Sequence, residues 1–178
     1  IAINPNTNPT TDNQTAVSYL KSAASQSATQ IYPIASFSKN QEGKQLTELY
    51  DLKQNGAVAF GDFKKPIKNT ELLKIALLYA QRFSGLIVSH PSDNSFGNNG
   101  GVHEGRISTK NGMSGSPTLS EILQVQRDIA VLEYTGGHLH IPFISSSQSL
   151  ELIRKAKKQG LNISCSVALA NLLFTDEQ

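Results

Sequence analysis

GAVAFGDFKKPIKNTELLKIALLYAQRFSGLIVSH, residues 56–90, contains one complete structural unit. Ala57–Phe60 is a continuous apolar run, the pattern of a strand covered on both faces. Thr70 stands where a helix cap is expected. Leu72, Leu73, Ala76, Leu77 and Ala80 then recur at three- and four-residue steps and make the apolar stripe of a helix. Gly85 stops that helix, and Leu86-Ile87-Val88 is a second buried strand. A strand, a crossover helix and another strand imply a parallel pair.

The same unit repeats in both directions. Upstream, Ile1–Ile3 is a short apolar run closed by the turn-rich Asn4-Pro5-Asn6-Thr7-Asn8-Pro9. Thr10, Thr11 and Asp12 are cap candidates for a helix through about Ser25. Gln30–Ser36 reads as a strand weakened by Pro33, and 46–54 as a helix stopped by Gly56. Downstream, residues 91–117 are rich in Gly, Asn and Ser, including Asn98-Asn99-Gly100-Gly101, and a loop this long is a functional or a disordered one. It is expected to be the most mobile segment, or to be ordered by a partner. Helix resumes from about Thr118 to Thr135. His138–Ile144 is strand, Ser149–Gln159 helix with the Ser145–Ser147 run as its cap, and Asn162–Val167 strand. Six strands and five helices in alternation predict an α/β fold with a parallel sheet. The pattern alone leaves a barrel and a doubly wound sheet both open.

Composition narrows the function. Sixteen basic and 14 acidic residues among 178 give a net charge of +2, with no electrostatic footprint for nucleic acid. The longest basic runs are the pairs Lys64-Lys65 and Lys157-Lys158, too short for a polybasic membrane patch. No apolar run is long enough to span a bilayer. A single cysteine, Cys165, excludes an intrachain disulfide, fits a cytoplasmic protein and is expected to be a small buried strand residue.

Candidate chemistry clusters after the strands. His90 ends the apolar run Leu86–Val88 and suits a metal ligand or a general base, or a hydrogen-bonded structural role. His138 and His140 alternate on one strand face, where two imidazoles could share a metal. Asp62 is the carboxylate that directly follows an apolar strand; it could bridge metals, act as a base or simply hold a turn. His103, in the long loop, is expected to face solvent. Asn6, Phe63, Phe143, Ser166 and Asn171 also follow strand ends. No nucleophile-elbow sequence is present.

Several motifs, in order along almost the whole chain, resemble dihydroorotases. They are Asn4-Pro5-Asn6-Thr7-Asn8-Pro9, Gly56-Ala57-Val58-Ala59-Phe60, Val88-Ser89-His90, Glu104-Gly105 with Ser108, Gly136-Gly137-His138-Leu139-His140-Ile141, and Leu172-Leu173-Phe174-Thr175-Asp176-Glu177. The resemblance implies a partial TIM-type (β/α) barrel of the metal-dependent amidohydrolase kind. Residues 1–178 would form a single incomplete domain carrying about strands two to seven of eight. It also implies zinc chemistry that interconverts carbamoyl aspartate and dihydroorotate in pyrimidine synthesis.

The departures lie at the metal. The family's ligating aspartate falls on Phe63, its ligating sixth-strand histidine on Phe143, and its Thr-Pro-His-His on Ala168-Leu169-Ala170-Asn171. His90 is the one ligand retained in the chain, and Asn6 matches a substrate-binding asparagine. His140 matches a histidine of the motif that is not a ligand. Three readings follow. The first is a non-catalytic dihydroorotase-like protein without a cofactor, acting as a structural partner of aspartate carbamoyltransferase or as a homo-oligomer. The second is an active zinc enzyme with a displaced site using His90 with His138, His140 or Asp62. The third is a binding module that keeps the pocket. Phe63, Phe143 and His90 should then converge at the carboxyl end of the sheet. The first and last strands should be its two edges, covered by another copy or another segment.

Overall fold

The computed structural model describes residues 1–93, 95, 100 and 102–174. Asn98, Asn99 and Gly101 of the long loop and Thr175–Glu177 of the tail lie outside the described residues.

Six strands form one parallel sheet: β1 (Ala2–Ile3), β2 (Tyr32–Ala35), β3 (Ala59–Phe60), β4 (Leu86–Val88), β7 (His138–Ile141) and β8 (Ile163–Cys165), in that spatial order. Between them run α1 (Gln14–Ala24), α2 (Leu49–Gln54), α3 (Thr70–Ala80), α5 (Thr118–Thr135) and α6 (Ser147–Lys158). Spatial order follows chain order without a reversal. Right-handed crossovers then place every helix on the same face, which is how a barrel wall is wound and a doubly wound sheet is not. β1 and β8 are the two ends of the sheet.

The helix-covered face holds the core. Phe37, Leu49, Leu52, Phe60, Leu73, Leu77, Ile87, Leu132, Leu139, Ile141 and Ile153 are essentially removed from water. Along β7 burial alternates: Leu139 and Ile141 are buried under the helices, while His138 and His140 face the barrel interior and are half-buried. Registers Leu86↔His138 and Val88↔His140 continue that inner face onto β4.

Several boundaries differ from the sequence reading. Asn13, not Thr10–Asp12, caps α1 by accepting from the Ala16 N–H at 3.0 Å. Thr11 is instead buried, its N–H bonded to the Pro5 carbonyl, and Asp12 accepts from the Asn40 N–H. Asn69, not Thr70, caps α3. The cap of α6 is Ser146, within the Ser145–Ser147 run. Pro33 sits inside β2 and still contributes its carbonyl, which accepts from Val58 N–H at 2.9 Å. β7 ends at Ile141 because Pro142 has no N–H and Phe143 turns to φ +57°. The long loop is not featureless. It holds a small parallel pair, β5 (Val102–His103) with β6 (Gly115–Ser116), around a short helix, α4 (Arg106–Lys110). A last helical turn, α7 (Ala170–Leu173), follows β8. Cys165 is half-buried at the edge of the core rather than fully enclosed.

Candidate functional site

The inner face of the sheet opens into a cavity of about 410 Å³ at the carboxyl ends of the strands. Ile34, Ala59, Leu86 and Val88 make its apolar floor, and Phe63, Lys64, His90, His140, Phe143 and Ser166 stand around its mouth. The β3–α3 and β7–α6 loops bring Phe63 and Phe143 together, their rings edge-to-face with centroids 6.4 Å apart. His90, at the end of β4, also lies 6.4 Å from the Phe143 ring. The three positions therefore share one place, 80 residues apart at the extremes of the sequence.

His90 is largely buried, and burial, with Lys64 nearby, lowers its pKa below the ordinary value despite the opposing pull of Glu121. Its Nδ1 is buried without a hydrogen-bond partner. The other candidates are occupied elsewhere. Asp62 is buried, and its carboxylate is saturated: Oδ1 accepts from the Ser36 hydroxyl at 2.7 Å and from Phe37 and Ser38 N–H at 3.0 and 3.1 Å, and Oδ2 accepts from the Ser38 hydroxyl. It pins the loop after β2 and is not a spare metal ligand. His140 has Nδ1 2.8 Å from Ser164 Oγ and Nε2 3.2 Å from Ser166 Oγ, so both ring nitrogens have partners. His138 lies beside Leu86, deeper along the strand than the mouth. Asn6 is exposed and is not among the residues lining the cavity; Asn4 and Pro5 take that side. His103 is exposed, with Nε2 3.1 Å from the Thr118 hydroxyl. Asn171 lies away from the mouth, on α7.

Two residues shape the mouth and carry no signal in the sequence. Lys64, read there only as half of a basic pair, adopts φ +56° and holds its ammonium 5.5 Å from the Phe63 ring centroid. Glu121, in the first turn of α5, accepts from Ser145 N–H, Ser145 Oγ and Ser146 N–H at 3.0, 2.6 and 3.0 Å. That carboxylate clamps the loop that presents Phe143.

A two-zinc centre does not fit these residues. Phenylalanine offers no lone pair, and Phe63 and Phe143 fill two of the positions where ligands are required. No group of three or more His, Cys, Asp or Glu able to hold a metal occurs among the described residues.

The fold defines the class first. An L-hydantoinase (dihydropyrimidinase) from Arthrobacter aurescens superposes with a TM-score of 0.79 at 18% identity, over 99% of this chain and 41% of that one. A D-hydantoinase superposes at 0.71 with 15% identity over 99% and 40%. The architecture is thus a partial (β/α) barrel of the cyclic-amidohydrolase type. The sequence comparison is more specific. A family model described as "Dihydro-orotase-like" matches residues 1–149. A dihydroorotase of Syntrophus aciditrophicus is 42% identical over 178 residues, and one of Pelotomaculum thermopropionicum is 37% identical over 177 residues. Each alignment covers 99% of this chain and 42% of the relative. The chain belongs to the dihydro-orotase-like family and spans about two fifths of the length of these curated relatives. No helix among the described residues is long and apolar enough to cross a membrane.

One pH effect follows from the site. Burial, and Lys157 secondarily, lower the His140 pKa from 6.5. Between its folded value and 6.5 the unfolded chain binds more protons, so stability falls as pH drops through that window and levels off below it. Urea midpoints at pH 7.5 and 5.5 should differ less in His140→Gln than in the parent. An equal difference would show that His140 is not the group responsible.

Proposed function

We propose that this chain is part of a non-catalytic dihydroorotase-like protein of pyrimidine biosynthesis that serves as a structural partner of aspartate carbamoyltransferase. The observation that carries the loss of catalysis is the Phe63–Phe143 ring pair standing where the family resemblance puts metal ligands. With Asp62 saturated and both nitrogens of His140 bonded to serines, no nearby side chain substitutes for them. Without the metal, no bound water is acidified and no ring carbonyl is polarised. The role as a partner rests on the family resemblance and on the open sheet edges β1 and β8, which offer unpaired backbone groups to another copy or another segment.

The test is metal analysis and dihydroorotate turnover on the same zinc-supplemented preparation of the full chain. Under about one tenth of a zinc per chain and no hydrolysis above background are expected, together with co-sedimentation with aspartate carbamoyltransferase. One or two zinc ions with turnover would return the protein to the enzymes.

A further inference from the structure

We propose that the cavity mouth framed by Phe63, Phe143 and His90, with Lys64 at its rim, binds a planar aromatic carboxylate. The proposal rests on the reading that positions 63 and 143 hold no metal. At about 410 Å³ the cavity is of small-ligand size, and its apolar floor with a few polar groups at the mouth is the usual make-up of such pockets. Phe63 and Phe143 meet edge-to-face, and His90 meets Phe143 likewise. That leaves ring faces and edges at one opening, an arrangement that favours a further flat ring over a flexible chain.

The charge requirement comes from Lys64. Its ammonium lies over the Phe63 ring and forms no ion pair with a carboxylate among the described residues. The adjacent carboxylate, Asp62, is consumed by the loop after β2. Glu121 is likewise bonded to Ser145 and Ser146. An uncompensated cation beside an apolar cavity complements an anionic ligand whose body is apolar. The backbone supports a functional assignment as well. Lys64 and Phe143 both hold left-handed φ values, +56° and +57°, without being glycine. Such conformations cost energy and collect at binding sites, where the surrounding structure fixes them. Here both strained residues project from loops that frame one opening.

The experiment is calorimetric titration of the full chain with 2-naphthoate and, separately, with uncharged 2-naphthalenemethanol, each with and without chelator. The carboxylate should bind at least about tenfold more tightly than the alcohol, with or without chelator. Lys64→Met should remove that preference, and Lys64→Arg should keep it. Phe143→Gly relieves the backbone strain while deleting the ring, so it should weaken both ligands with no loss of thermal stability. Equal binding of acid and alcohol, or no binding of either, would overturn the site while leaving the non-catalytic reading intact. Binding that vanishes with chelator would instead show a metal at the mouth and overturn the reading beneath it.

Discussion

Asp62→Ala is expected to destabilise the fold by about 3–5 kcal/mol, because it strands donors that have no other place to go. Ser36, Phe37 and Ser38 are fully buried, and the Asp62 carboxylate accepts from two of their backbone N–H groups and from both serine hydroxyls. Each orphaned buried donor costs about 1–3 kcal/mol, and losses within one cluster are less than additive. Asn in the same place keeps one acceptor oxygen but replaces the other with an amide that faces a donor. Asp62→Asn should therefore lose about half as much. The measurement is a urea unfolding curve with an unchanged slope, so that the midpoint reports stability alone. Glu42→Ala provides the contrast. Its pair with Lys44 is exposed, and its removal should cost under about 0.5 kcal/mol. A comparable, small loss in Asp62→Ala would mean that the carboxylate is a bystander and free to act as a ligand.

The alternation of strand and helix was legible because buried parallel strands and amphipathic helices impose different hydrophobic periods, as in Ala57–Phe60 against Leu72–Ala80. What remained open was the winding, since every crossover looks alike in sequence; the order of β1, β2, β3, β4, β7 and β8 decides it. Helix starts were blurred where several capping residues stand together. Thr11 and Asp12 are drawn to Pro5 and Asn40, which leaves Asn13 to cap α1. Strand ends were read too long because apolar character continues past the last ladder bond, as at Pro142 and Phe143. In the long loop, composition hid local order. Ser108 Oγ and Gly105 close a small reciprocal cap on α4 that no periodicity reveals.

For the site, the meeting of Phe63, Phe143 and His90 was legible only through the family motifs, because hydrophobic pattern does not say which loops share a barrel mouth. The duties of Asp62 and Glu121 were not legible at all. Their partners lie 24 to 26 residues away, across a strand–helix step, and are satisfied through backbone N–H groups that every residue possesses. Serine hydroxyls around His140 were invisible for the same reason: Ser164 and Ser166 sit on the next strand.

Phe60→Ala should cost about 3–5 kcal/mol, and its second effect should appear at the cavity mouth. Phe60 is fully buried on the helix-covered side of β3, in register with Ile87 of β4. Its ring packs edge-on against Phe83 at 6.0 Å, and Phe83 in turn meets Tyr50 at 5.7 Å and Tyr79 at 5.6 Å. Deleting the ring removes its transfer free energy and opens a void in that cluster. Collapse is restricted from the other side of the strand, because Gly61 already lies so close to β4 that an added Cβ would stand 2.7 Å from the Val88 carbonyl oxygen. Phe60→Leu fills most of the space and should lose under about 1.5 kcal/mol. β3 has only two ladder residues, and directly after it come Gly61, Asp62, Phe63 and Lys64. A loosened Phe60 therefore frees the segment that carries both the loop anchor and half of the ring pair. Amide hydrogen exchange should show the gain at 61–64 in Phe60→Ala and little of it in Phe60→Leu. Faster exchange spread evenly over the whole sheet would mean that the site is not held locally by this core contact and that only global stability has changed.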